Sequence, residues 1–170
     1  MGRLENIQKR HDILIEAFSV FCKSNPGYKL LIFGNGPDKE MLNGIIKKHD
    51  LDNSVTVVSA QKNVHSLIRD ASMFVMTSDF EGLSNALAEA MLMGIPCISS
   101  NWPGCEDVID NNVNGYIYNR QDVKELASYM NELANDVEKK QSFSLEAQKL
   151  KEHFDPDKVI EQYARIIEGE

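Results

Sequence analysis

Two residue patterns of different period alternate along this chain, and that alternation constrains its fold more than any other feature. Short runs that are apolar on both faces break off in turn residues. Lys29-Leu30-Leu31-Ile32-Phe33 runs into Gly34-Asn35-Gly36-Pro37, and Val55-Thr56-Val57-Val58 into Ser59-Ala60-Gln61-Lys62-Asn63. Met73-Phe74-Val75-Met76 ends in Thr77-Ser78-Asp79, and Pro96-Cys97-Ile98-Ser99 in Ser100-Asn101-Trp102-Pro103-Gly104. A fifth run, Tyr116-Ile117-Tyr118, follows an Asn114-Gly115 turn. Runs this short, with no polar alternation, are those of parallel strands covered on both faces.

The intervening segments carry apolar residues at helical spacing. Leu14, Ala17, Phe18 and Phe21 form one stripe, Met41, Leu42, Ile45 and Ile46 a second, and Val64, Leu67, Ile68 and Ala71 a short third. Ser84 to Met93 is a fourth, stopped by Gly94 and Pro96. Val123, Leu126, Ala127, Met130 and Leu133 make a fifth, and Phe143, Ala147 and Leu150 a weaker sixth. A last helix is expected from Asp155-Pro156, carrying Val159, Ile160, Tyr163, Ile166 and Ile167. Strand–helix alternation with short loops builds βαβ units, so the expected fold is α/β with an open doubly wound parallel sheet. At 170 residues that is about one domain.

Composition narrows the function. Hydrophobic residues at 42% and charged residues at 26% are ordinary globular values, which argues against disorder. No apolar run is long enough for a membrane helix. Met1-Gly2-Arg3-Leu4-Glu5 does not read as a signal peptide. Cys22, Cys97 and Cys105 are odd in number and widely spaced, which fits reduced thiols and a cytoplasmic chain. A net charge of −8 removes the broad positive field that nucleic acid requires, so any phosphate must be held by local groups.

In open α/β sheets ligands bind at the carboxyl ends of the strands. The loop after the third run is the most informative there. From Ala86 to Met93 the following helix has one polar residue, Glu89, which reads as a buried helix whose first N–H groups and lone carboxylate both need partners. Two readings stand open. A ligand phosphate could sit on the helix start while Glu89 accepts ligand hydroxyls; or Ser84 caps its own helix and Glu89 pairs with a buried Lys or Arg. Gly34-x-Gly36 does not complete a dinucleotide fingerprint, because Lys39 stands at the third Gly position. His11, His49, His65 and His153 are scattered, with His11 and His153 expected at helix ends.

Glu81 to Glu89 lies within S-x-x-E-G-x-x-x-x-x-x-E-A-x-x-x-G-x-P, which resembles the signature of the family 4 glycosyltransferases, or glycosyl transferases group 1. Gly2-Arg3-Leu4 with Lys9 resembles the G-R-L…K opening of that family, and Phe33-Gly34-Asn35-Gly36-Pro37 its Gly-rich loop. Gly104 with Glu106-Asp107-Val108-Ile109, and Asn114-Gly115-Tyr116, are similar to two further family segments. Asp79-Phe80-Glu81 has the outline of a D-x-D metal motif, but the rest of the chain is similar to the metal-independent type.

The resemblance implies the C-terminal, donor-binding half of a two-domain GT-B architecture. It implies a Rossmann-like domain over 1–154 and a crossing helix over 155–170. By the same resemblance Arg3, Lys9 and Glu81 would be the catalytic groups: Arg3 and Lys9 neutralise the donor diphosphate, and Glu81 contacts the transferred sugar. Backbone N–H groups of Leu83, Ser84, Asn85 and Ala86 would hold the phosphates and Glu89 the ribose. The loop with Lys62 would carry the base, and Gly34 and Gly36 would belong to the binding set. Ser59-Ala60 stands where many relatives have a Gly.

The implied reaction is retaining transfer from a nucleotide-sugar donor, expected here as a UDP-sugar, in bacterial envelope or capsular polysaccharide synthesis. No cofactor and no metal are expected. The partner is an N-terminal acceptor domain, through which peripheral membrane contact would come, and the chain alone is not expected to transfer sugar. A non-enzymatic nucleotide-sugar-binding module and a nucleotide-sugar epimerase of GT-B-like fold are the alternatives.

Overall fold

The computed structural model describes residues 2–61, 63–82 and 84–152, and within them each apolar run becomes a strand and each periodic stretch a helix. The order is β1 (Gly2–Arg3), α1 (Asn6–Lys9), α2 (His11–Phe21), β2 (Leu30–Asn35), α3 (Lys39–Lys48) and β3 (Val55–Val58) in the first half. The second half is α4 (Val64–Ile68), β4 (Phe74–Met76), α5 (Asn85–Leu92), β5 (Cys97–Ser100), β6 (Gly115–Tyr118), α6 (Val123–Asn135) and α7 (Val137–Gln148). The helix expected from Asp155 lies outside the described residues, as does His153.

All strand pairs are parallel, as the two-faced apolar runs require, but they form two ladders. One is ordered β1-β2-β3 and the other β4-β5-β6. The two residues of β1 pair only with the far end of β2, Gly2 opposite Gly34 and Arg3 opposite Asn35. Helices join the halves from below. α2 packs along α6, and the Asn25 side-chain amide donates to Asn131 Oδ1 at 2.6 Å. A core of Ile13, Ile15, Phe18, Phe21, Leu126, Met130 and Phe143 fills that layer. A second cluster, with Leu87, Met91, Ile95, Trp102 and Ile109, packs under α5.

Strand burial departs from expectation in an instructive way. β5 is buried throughout and β6 nearly so. In β2 only Ile32 and Gly34 are buried and Leu31 is 48% exposed; Phe74 and Val75 of β4 are half-buried. The half-buried strands face one another across an open cleft.

Local signals explain the helix ends. Asp122 Oδ1 accepts from the amides of Lys124 (3.0 Å) and Glu125 (2.9 Å), a side-chain N-cap for α6. Between α1 and α2 the chain turns on Arg10, in the left-handed region at φ 48°. A non-glycine residue is uncommon there. Its guanidinium bonds Asp12 within the turn at 3.1 Å and Asp79, in the loop after β4, at 3.3 Å.

Candidate functional site

The cleft, of about 920 Å3, runs between β2 and β4 and opens at the carboxyl ends of the strands, where Lys9, His11, Ser78, Glu81, Ser84 and Asn85 line it. Its size suits a small-molecule site. Hydrogen bonds to backbone carbonyls hold the first half of the chain onto the loop after β4. The amide of Asp79 donates to the Gln8 carbonyl at 2.8 Å, and Thr77 Oγ1 donates to the Lys9 carbonyl at 2.7 Å. Gln8 Nε2 donates to the Phe80 carbonyl at 3.0 Å.

This stitching brings together two residues 72 apart in sequence: Lys9 Nζ lies 2.6 Å from Glu81 Oε1. Ser78 Oγ donates to the same carboxylate oxygen at 2.5 Å. Their side chains are 21% and 10% exposed, so the ion pair is well shielded on the Glu81 side. The two carboxylates of the D-x-D-like triplet therefore go to different cations, Asp79 to Arg10 and Glu81 to Lys9.

Directly beside this pair stands the start of α5. Ser84 is its N-cap residue but forms no side-chain cap; its hydroxyl turns to Met76 Sδ at 3.3 Å. The reading in which Ser84 caps its own helix is thereby corrected. The hydroxyl is drawn inward by burial, so α5 starts without a side-chain cap, and Asn85 and Ala86 of its first turn line the cleft.

The surroundings of Glu89 differ from those expected of a carboxylate paired with a buried Lys or Arg. The polar face of α5 turns toward α4, and the Glu89 side chain is 44% exposed, 2.9 Å from His65 Nε2. No buried Lys or Arg pairs with it among the described residues. Only the opposite face, with Leu87, Ala88, Ala90 and Met91, is buried. Glu89 is outside the set of residues lining the cleft.

Gly34 and Gly36 have roles in the backbone. Gly34 is the β2 partner of Gly2. A Cβ on Gly36 would overlap the Leu4 carbonyl and stand 2.6 Å from the Leu4 nitrogen, so this loop must be glycine for β1 to approach β2. Neither lines the cleft. Asn35, between them, accepts from the Ala60 amide at 3.3 Å and so steadies the loop after β3. Arg3 is placed by its pairing with Asn35 at the carboxyl end of β2; its side chain, like Lys62 and Leu83, lies outside what is described.

Sequence reasoning missed two contributors. His65 reaches Glu89 only through the fold. His11 begins α2 as expected, and its buried Nδ1 has no partner among the described residues. Burial, reinforced by the positive charge of Lys9, pushes the imidazole down to about 4 and keeps it neutral.

Among the described residues no helix is long and apolar enough to cross a membrane, and the three cysteines are free.

Residues 1–150 match the family model described as glycosyl transferases group 1. The chain is 30% identical to the poly(glycerol-phosphate) alpha-glucosyltransferase of Bacillus subtilis over 88% of its own length and 22% of that protein's. It is 26% identical to an uncharacterized glycosyltransferase of Haemophilus influenzae, over 94% of this chain and 45% of the relative. It thus spans less than half the length of either. The fold matches that of Staphylococcus aureus TarM, solved with UDP, at a TM-score of 0.90 and 24% identity, over 96% of this chain and 34% of that one. It also matches the C-terminal domain of the Francisella tularensis group 1 glycosyl transferase LpcC, at a TM-score of 0.82 and 21% identity, over 91% and 83% of the two chains. These likenesses agree with the expected Rossmann-like α/β fold.

Proposed function

Because this chain belongs to the glycosyl transferases group 1, we propose that the polar end of its cleft is the donor site of a retaining, metal-independent glycosyltransferase that uses a UDP-sugar. The observation that carries this reading is the shielded Lys9–Glu81 pair beside the uncapped start of α5. A cation close to a helix start whose first N–H groups lack a side-chain cap suits an anion, and a diphosphate is long enough to reach both.

In this reading Lys9 and the α5 amides stabilise the charge that develops on the departing diphosphate. Arg3, arriving at the carboxyl end of β2, adds a second cation. Glu81, held by Ser78 and Lys9, offers its other carboxylate oxygen to the sugar hydroxyls. Glu89 takes the ribose, sharing it with His65, and the loop from Ser59 to Asn63, with Lys62, takes the base. The acceptor would be a cell-envelope polysaccharide precursor, and the protein would act in the cytoplasm. Relatives more than twice as long supply the reason to expect an acceptor domain as partner.

Calorimetry with UDP, GDP and ADP on the purified chain tests the donor assignment, with UDP expected to bind tightest. No nucleotide binding, or binding untouched by Lys9→Met, would overturn it. Sugar transfer by this chain alone, above the hydrolysis background, would refute the need for a partner domain.

A further inference from the structure

A second cavity, of about 650 Å3, opens at the carboxyl ends of β4, β5 and β6. Its size lies within the ~300–1,000 Å3 of small-molecule sites. The loop after β4 divides it from the donor cleft: Ser78 and Glu81 line the cleft, Asp79 and Phe80 the second cavity. That loop is fixed through its backbone. The Asp79 amide donates to the Gln8 carbonyl at 2.8 Å, and the Asp79 carbonyl accepts from Arg120 Nη1 at 2.8 Å. The Phe80 carbonyl accepts from Gln8 Nε2 at 3.0 Å. Phe80 is nevertheless 56% exposed. A lone exposed ring is ordinary on a protein surface. A ring in a cavity wall, on a loop whose backbone is tied down, is a preorganised platform.

The rest of the lining is Pro103 with planar polar side chains, Asn101, Asn119, Arg120 and Gln121. The two asparagines serve the frame: Asn101 Oδ1 accepts from the Arg120 amide at 2.9 Å, and Asn119 Nδ2 donates to Glu125 at 3.0 Å. Arg120 and Gln121 are exposed and ride on a short turn, closed by the Asp122 amide on the Asn119 carbonyl at 2.9 Å. Gln121 stands there at φ 70°, in the left-handed region, where a non-glycine residue is uncommon. Arg120 gives one of its five N–H donors to the Asp79 carbonyl.

The chemistry of this lining selects among ligand classes. A phosphate is disfavoured, because the one lining cation is matched by the Asp79 carboxylate and the nearby start of α6 is already capped by Asp122. A hard metal ion needs several oxygen ligands, and the one lining carboxylate is paired with Arg10. A flat aromatic face beside planar amide and guanidinium groups suits a neutral ring with C–H groups on one face and hydroxyls at its edge. We infer that this cavity is a saccharide site, in which one uncharged sugar ring stacks on Phe80 while its hydroxyls bond Arg120 and Gln121. The ring belongs either to a free sugar or to a longer glycan. The inference goes beyond the donor reading and does not depend on it, because no residue placed in nucleotide binding lines this cavity.

The test titrates the chain with glucose, maltotetraose and chitotetraose, and with a hyaluronan tetrasaccharide as the anionic arm, while NMR follows the amides of Phe80, Arg120 and Gln121. At least one neutral probe should shift these resonances, with a Kd on the order of 1 mM. Phe80→Ala should raise that Kd about tenfold. Gln121→Gly suits the left-handed backbone and removes only the side-chain amide, so it should weaken binding severalfold in a folded chain. Binding of glucose as well as a tetrasaccharide would assign the site to free sugar, and binding of a tetrasaccharide alone to a glycan. No shift from any neutral probe would overturn the inference, as would shifts confined to other residues. An unchanged Kd in both variants, or binding of the anionic tetrasaccharide alone, would overturn it too.

Discussion

Replacing Lys9 by Met keeps the length of the side chain and deletes its charge, which separates the role of Lys9 in the fold from its role toward a ligand. In the folded chain Lys9 Nζ sits 2.6 Å from Glu81 Oε1, with the Glu81 side chain only 10% exposed. Breaking a fully buried pair costs about 3–5 kcal/mol, whereas an exposed pair is worth about 0–1 kcal/mol. Glu81 keeps its hydrogen bond from Ser78 Oγ, so the cost should fall between these limits, at about 1–2 kcal/mol. For a chain of this size that lowers Tm by about 3–6 °C. If Lys9 also holds the diphosphate, one charge-assisted contact worth about 1.5–3 kcal/mol is lost. The Kd for UDP should then rise by about ten- to a hundredfold.

The double variant Lys9→Met/Glu81→Gln resolves the two effects. Neutralising Glu81 removes the unpaired carboxylate, so most of the Tm should return. UDP affinity should stay low, because the cation is still missing. Calorimetry and thermal melts on the same samples read both quantities. Recovery of UDP affinity along with Tm would refute the reasoning, and would leave Lys9 as a neutraliser of Glu81 with no part in binding.

Three further outcomes can be checked. Glu89→Gln should weaken UDP binding by about ten- to a hundredfold while moving stability by no more than about 1 kcal/mol, since its partner His65 is 56% exposed; a large fall in Tm with unchanged Kd would remove Glu89 from the ribose site. His11 is held at about 4 against an ordinary 6.5, so the unfolded chain takes up its proton first as pH falls. Stability is then full above pH 6.5 and declines toward pH 4 by up to about 3 kcal/mol. Thermal melts of His11→Phe across that window should show a visibly smaller loss than those of the parent chain. Gly36→Ala drives a Cβ into the Leu4 backbone, which cannot rotate away as a side chain could. A cost of about 1–3 kcal/mol is expected, read as a lower Tm; an unchanged Tm would show that the β1–β2 approach is not constrained there.

Much of the fold could be read along the chain because period is a local property. β3 has the expected bounds Val55–Val58, and β2, β4, β5 and β6 shift by a residue or two. The helical stripe at Val123 to Leu133 became α6, and the segment after Ser84 became α5. Gly36 was legible as part of a Gly-rich loop, and the Leu4 backbone supplies a packing reason for a glycine there.

Tertiary structure alone decided which charges meet and which strands stay apart. Lys9 and Glu81, like Arg10 and Asp79, become neighbours because α1 is stitched to the loop after β4, and no local pattern encodes a contact across about 70 residues. The single charge on α5 read as buried because composition counts residues and not faces; the fold turned that one polar face outward to His65. An apolar run reports that a strand needs cover on both faces, but what supplies the cover depends on which edges the rest of the polypeptide brings alongside.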